Sequence, residues 1–336
     1  MEARMEIGSF IELEFQKGME YYSGDSIARL NCARAGVYHA LRVMNIDTIH
    51  LPYYQCDTVR GFLNKKNIKI KYYYLNEEYE PISIETNENE AVLLVNYYGI
   101  MSEARMMRLK EQYKNVIIDN SQAFFAKPIE NALNIYSPRK FFGVPDGCYV
   151  IGKDAENYTD EYKIDCSTGT SGFLLERIEY GCEKSYNSRM LNEERIDKSD
   201  ILKMSVLTGK ILDGVNYEEV KQKRIENFST ARKLFDEINL IDIGKLYDET
   251  AVPMVYPLLI KSEDLLEKLQ KNKIFQGHWW SYLLEEIPEN TFEYFVSKYI
   301  IPITIDQRYG ENELNLTKKL VKEHMSGKNE KNSYNR

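Results

Sequence analysis

The chain has 336 residues with 43% apolar and 29% charged side chains, the balance of a soluble globular protein with room for a large domain and a smaller one. Its net charge of −8 and pI near 5.4 argue against a nucleic-acid or anionic-membrane partner. Cys32, Cys56, Cys148, Cys166 and Cys182 are odd in number and form no Cys-x-x-Cys pair, so a disulfide framework or zinc site is not expected and a reducing cytosol is.

In chain order, M-E-A-R-M-E-I-G has no apolar core and does not read as a signal peptide. A helix pattern opens near Ala33 and runs to Asn45. T-I-H-L-P (48–52) reads as a strand, 57–66 as a helix and I-K-I-K-Y-Y-Y-L (68–75) as a strand. A-V-L-L-V-N-Y-Y-G (91–99) reads as a buried strand stopped by Gly99, followed by a helix over 102–113 and the strand N-V-I-I-D. A-L-N-I-Y (132–136) and C-Y-V-I-G (148–152) follow. Apolar strands alternating with helices imply a mainly parallel sheet covered on both faces. Most of the 26 tyrosines read as half-buried strand residues.

Residues 155–200 are charged and poorly periodic and read as a connecting region with some helix. Beyond them the pattern gives long helix over 201–239, strands at 252–261 and 299–306, and helices at 263–272 and 311–325. The expected division is a large α/β domain (1–200), a small α+β domain (201–326) and a frayed polar tail (327–336). His39, His50, His278 and His324 are not at ligand spacing, so no metal is expected, and no run reaches the length of a membrane span.

Ligands of an open α/β sheet gather beyond the carboxyl ends of its strands. Asp119 stands at such an end in V-I-I-D-N-S-Q-A, with no basic neighbour. Lys140 stands in the next such loop, S-P-R-K-F-F-G-V-P-D-G, where apolar neighbours lower a lysine's proton affinity and make it a nucleophile. R-L-N-C-A-R-A-G precedes the first helix and offers an anion a free helix N-terminus. Singly, these read as a turn residue, a snorkelling lysine and a helix start. Together they match pyridoxal phosphate, which takes a lysine on its aldehyde, an acid on its ring nitrogen and an anion cradle for its phosphate.

The ordered series L-P-Y-Y-Q-C, V-N-Y-Y-G, I-I-D-N-S-Q-A and S-P-R-K-F-F-G-V-P-D-G resembles the DegT/DnrJ family of pyridoxal-phosphate sugar aminotransferases, over residues 25 to 152. R-I-E-N-F near 224 and I-P-I-T near 302 extend it weakly. The resemblance implies fold type I, with Lys140 as the Schiff-base lysine, Asp119 on the pyridinium nitrogen and Gln122 near the cofactor's phenolic oxygen or ring face. It places Ala33 and Arg34 where the family has a Gly-Thr pair whose amides hold the phosphate, with Ser137 as a further phosphate ligand. Arg34 then contacts phosphate or faces solvent. It also implies transamination, from glutamate to a nucleotide-linked keto-sugar, by a cytoplasmic homodimer serving cell-surface polysaccharide or amino-sugar synthesis. The chain departs from the family in three places: Ile135 replaces a serine, Ala-Arg replaces Gly-Thr, and Cys56 replaces a ring-stacking aromatic. Either Tyr54 substitutes for that aromatic or the stack is lost. Asn187 in Y-N-S-R-M resembles a family asparagine that reaches across the dimer, but reads here as a loop residue. Tyr97, Tyr98, Arg139 and Asp146 are candidates for substrate contact, and H-W-W (278–280) for small-domain packing or a substrate entrance. The rival reading is a homologue that binds a ligand or partner without turnover.

Overall fold

The structure is a computed structural model describing residues 7–333. The chain first alternates β1 (Ile27–Leu30), α1 (Ala33–Met44), β2 (Thr48–Pro52), α2 (Asp57–Lys65) and β3 (Lys69–Tyr73). It continues with β4 (Glu90–Val95), α3 (Glu103–Lys110), β5 (Asn115–Asn120), β6 (Leu133–Tyr136) and β7 (Cys148–Ile151). These strands form one sheet in the order β1-β7-β6-β5-β4-β2-β3. Strands β2 to β6 pair in parallel, and β7 runs antiparallel to both neighbours. The link from β6 carries only a 3₁₀ turn, Pro138–Lys140, so it has no crossover helix and β7 returns antiparallel. Every residue of β2, β4 and β6 is buried, as continuous apolar runs require.

Helix α1 packs directly on β6 and β7. A Cβ on Gly36 would stand 2.8 Å from Cys148 Sγ, 3.1 Å from Val150 and 3.3 Å from Ile135, so only glycine lets the helix approach this closely. Strand β4 ends at Val95, earlier than its apolar run suggests. The Asn96 N–H still bonds the Asp119 carbonyl at 3.0 Å, but Tyr98 and Gly99 then take positive φ and turn the chain away. A Cβ on Gly99 would lie 2.3 Å from the Gln122 carbonyl oxygen, which makes the turn glycine-specific.

The second half contains α4 (Gly172–Tyr180), α5 (Cys182–Lys198), α6 (Val206–Asp213), α7 (Tyr217–Phe235) and α8 (Ile243–Leu246). Then come β8 (Val255–Leu259), α9 (Leu265–Lys271), α10 (Leu283–Glu286), α11 (Phe292–Tyr299), β9 (Ile300–Thr304) and α12 (Glu311–Ser333). Strands β8 and β9 form an antiparallel pair, with Phe228, Phe235, Tyr256, Leu258, Ile301 and Val321 in the core around them. The stretch expected as a connector is instead the helical pair α4–α5. Its pattern was illegible because α4 buries no residue and leaves Leu175 and Ile178 exposed. Asn187 therefore lies in a helix, not a loop. Helix α12 runs on to Ser333 where a frayed tail was expected from 327, and residues 334–336 lie outside those described, as do residues 1–6 with most of the leader reading.

Two predictions follow from this packing. Replacing Gly36 by valine should destabilise the protein by about 1–3 kcal/mol in denaturant unfolding, the usual cost of overpacking. At the amino edge of the sheet, the Glu90 carboxylate bonds His50 Nε2 and Lys71 Nζ, each at 2.6 Å, and these hold it down at about 2. A depressed carboxyl stabilises the fold above its unfolded value, and that contribution fades as pH falls. The stability gap between wild type and Glu90→Gln should be constant above about pH 4.5 and shrink toward pH 2; a pH-independent gap contradicts it.

Candidate active site

The loops after β1, β2, β4, β5 and β6 all emerge at the carboxyl edge of the sheet. The Gly147 N–H donates to the Asn31 carbonyl at 2.7 Å and ties the Lys140 loop to the start of α1. The N-cap of α1, Cys32, is extended and makes no side-chain cap bond, so the first-turn N–H groups of Ala33 and Arg34 are presented by the helix end itself. The Arg34 side chain takes neither expected position. It is buried against α5, with Nη1 2.6 Å from Asp197 Oδ1 and Nη2 on the Ile196 carbonyl. The carbonyl end of α5 attracts a cation, so the Ala33–Arg34 pair offers an anion its backbone only.

Asp119 pairs in register with Val95 and Ile135, which puts its side chain on the sheet face that α1 covers. It is buried, and Oδ1 accepts the Ser121 N–H at 2.8 Å. Burial pushes its carboxyl up; the bonds from Ser121 and the charge of Lys140 oppose that shift. Lys140 closes the 3₁₀ turn that begins at Pro138, and its N–H bonds the buried Ser137 carbonyl at 3.3 Å. Its side chain is exposed at this edge of the sheet. Nearby protein pushes the ammonium down, Cys56 and Glu193 pull it up, and Arg139 and Arg189 push it down further. Gln122 is buried, with Oε1 accepting the Tyr98 N–H at 2.7 Å, which fixes the turn after β4.

Other expected contacts lie elsewhere. Tyr54 is fully buried, its hydroxyl 3.0 Å from that of Tyr98 and its ring edge-on to Trp280 at 4.3 Å. Cys56, two residues on and half-buried, lies near Lys140. Tyr97 and Tyr98 are buried in the same aromatic cluster, with Trp279 stacked on Tyr98 at 5.4 Å, so the two tryptophans of H-W-W pack on these tyrosines. Asp146 is buried and structural: it accepts the Ser205 hydroxyl at 2.6 Å and N–H at 2.9 Å and so fixes the start of α6. Arg139 alone among the four substrate candidates is half-open, and it pairs with Glu193 of α5.

Sequence reasoning missed the clamp behind the lysine. Arg224 of α7 is buried with its guanidinium 4.4 Å from the Phe141 ring centre, and its Nη1 donates to the Met254 carbonyl at 3.0 Å. Its Nε donates to Gln307, whose Nε2 donates to the Phe141 carbonyl at 2.9 Å. Met254 N–H bonds Tyr98 O at 2.8 Å, so the small sheet grips both the lysine loop and the turn held by Gln122. R-I-E-N-F hinted at Arg224, but nothing in sequence paired it with Phe141.

The residues present fit a phosphorylated pyridine aldehyde. Among the described residues, the buried polar atoms without a hydrogen-bond partner include Gln55 Nε2 and Asn96 Oδ1, in the loops after β2 and β4 at this edge. Buried atoms of this kind call for a ligand or water. The chain matches no protein-family profile and no curated protein. It does match solved structures. A DegT/DnrJ/EryC1/StrS aminotransferase from Brucella abortus aligns at 11% identity and TM-score 0.57 over 89% of this chain and 85% of that one. NtdA from Bacillus subtilis, solved with bound cofactor PMP, aligns at 13% and 0.58 over 87% and 73%. DesI, solved in the presence of its TDP-sugar product, aligns at 11% and 0.60 over 88% and 79%. The chain therefore has the fold of the pyridoxal-phosphate sugar aminotransferases, with the mostly parallel central sheet and small antiparallel sheet described above.

The clamp is testable by unfolding. Arg224→Met keeps the bulk but strands the Met254 and Pro253 carbonyls, and should cost about 1–3 kcal/mol. No loss in urea unfolding would show that the carbonyls find other donors.

Proposed function

We propose that the protein is a pyridoxal-phosphate-dependent aminotransferase that moves an amino group from glutamate to a nucleotide-linked keto-sugar, for cell-surface polysaccharide or amino-sugar synthesis. The observation that carries this is the buried Asp119 carboxyl on the α1 face with the Lys140 amine on the adjoining loop of the same edge, close enough for their charges to interact. When bound, the cofactor supplies a carbonyl that carries the amino group and a ring that accepts electrons from the substrate carbon.

Each residue then has a distinct task. Lys140 Nζ would hold the cofactor's aldehyde carbon and, as a free amine, would take the proton from the donor's α-carbon as general base. Asp119 would keep the ring nitrogen protonated by offering it a negative charge. The N–H groups of Ala33 and Arg34 and the Ser137 hydroxyl would hold the phosphate. Gln122 would border the ring near the phenolic oxygen. This reading assigns residues 1–200 to cofactor binding and 201–326 to the smaller domain. It also takes the protein as a cytoplasmic homodimer with small-molecule substrates and neither nucleic-acid nor membrane partners. No helix among the described residues is long and apolar enough to cross a membrane.

One observation favours a rival. Tyr54 is buried and Arg34 is turned into α5, so the ring-stacking and hydroxyl contacts typical of the family have no counterpart at those positions. A homologue that binds the cofactor without turnover would tolerate that. Borohydride treatment of protein incubated with pyridoxal phosphate should place the pyridoxyl group on Lys140 by peptide mapping. Glutamate added to untreated protein should convert the cofactor to its amine form. Labelling without conversion favours the rival, and no labelling removes both readings. Asp119→Asn should slow the glutamate conversion about 10²–10³-fold. Because its surroundings push the Lys140 ammonium below 10.5, cofactor capture should reach half its maximum below that pH.

A further inference from the structure

We propose that Arg139 receives a carboxylate of the amino donor, and that Glu193 holds its place until the donor arrives. This rests on the transaminase reading above and adds the group that selects the donor. Arg139 immediately precedes Lys140, and its Nη2 lies 2.5 Å from Glu193 Oε1. Arg189 Nε lies 4.0 Å from the same oxygen, one helical turn earlier on α5. Asn192 Nδ2 donates to the Pro145 carbonyl at 2.7 Å, so α5 is fastened to the loop that carries Lys140. The cluster is thus held between α5 and the lysine loop and is not a chance surface pair.

Its charges do not balance. Three cations, Lys140, Arg139 and Arg189, lie with Glu193 in this cluster, and the charges of Glu193, Arg139 and Arg189 all reach Lys140. Glu193 takes one donor of Arg139, whereas a guanidinium offers a planar fork that a carboxylate can grip with two parallel bonds. A carboxylate entering from solvent can therefore compete with Glu193, whose side chain remains 32% exposed. The reaction fixes which anion this is. The donor's amino-bearing carbon must sit at the Lys140 amine, so its carboxylates lie within a few bonds of that amine. The diphosphate of a nucleotide-linked sugar lies beyond the sugar ring from the carbon that receives nitrogen. A receptor adjacent to Lys140 in sequence and sharing its charge cluster suits the former.

The two side chains should then act in opposite directions. Glutarate, a dicarboxylate with no amine to react, is the probe, titrated calorimetrically into cofactor-loaded wild type, Arg139→Gln, Arg139→Lys and Glu193→Gln. Arg139→Gln should weaken glutarate at least tenfold. Arg139→Lys should restore little, because a point charge lacks the fork. Glu193→Gln should tighten glutarate several-fold by removing its competitor, an outcome that a misfolded variant or a purely structural ion pair does not produce. Uridine diphosphate, titrated in parallel, should change by less than twofold in every variant. Glutarate binding unaffected by Arg139→Gln, weakened by Glu193→Gln, or absent from wild type overturns the proposal, as does a loss confined to uridine diphosphate. Borohydride labelling of Lys140 in the same preparations separates the two levels: its failure removes the transaminase reading, and its success with unresponsive glutarate removes only the donor receptor.

Discussion

A carboxyl buried at the end of a core strand is the constraint on which the rest of the site depends. Asp119 is set there by register: its pairing with Val95 and Ile135 gives it the face of the sheet that α1 covers. Desolvation disfavours its charge, and the Ser121 N–H offsets that only in part. A cation held against it would complete the arrangement, and a pyridinium is such a cation. Gly36 serves the same end, because the close approach it permits sets where the N–H groups of α1 begin.

The small sheet takes part in this architecture through Arg224. Its guanidinium is pushed down to about 10 by burial, the mark of a charge held where solvent cannot reach it. Carbonyls of the 253–254 segment, the Phe141 face and Gln307 surround it, so one side chain joins the lysine loop to the second half of the chain. Through Met254 and Tyr98 the same junction meets the turn fixed by Gln122. A shift of the small sheet would therefore move the lysine loop and the Gln122 turn together.

Much of this was legible in sequence because the signals were local. Period and apolar runs located six of the seven strands of the main sheet, all but the short β1, and strand ends singled out Asp119 and the Lys140 loop. What was illegible depended on long-range packing. The tyrosines read as half-buried strand residues, yet Tyr54, Tyr79, Tyr97 and Tyr98 are buried outside the strands in one aromatic cluster with Trp280, joined through hydroxyls. The pair α4–α5 lacked a buried stripe and so lacked a period. Arg34 looked like a phosphate ligand until Asp197, distant in sequence, took its guanidinium. Glu193 carried no signal at all, since a helix-face carboxylate in a charged stretch is ordinarily solvated.

The account stands or falls on whether the acid at 119 meets the ring nitrogen of the cofactor. Nuclear magnetic resonance of the protein loaded with pyridoxal phosphate labelled with nitrogen-15 in its ring observes that atom directly. The ring nitrogen should resonate as a protonated pyridinium in the wild type at neutral pH and move to the unprotonated position in Asp119→Asn. An unprotonated ring nitrogen in the wild type, or a signal indifferent to the substitution, would contradict the pairing.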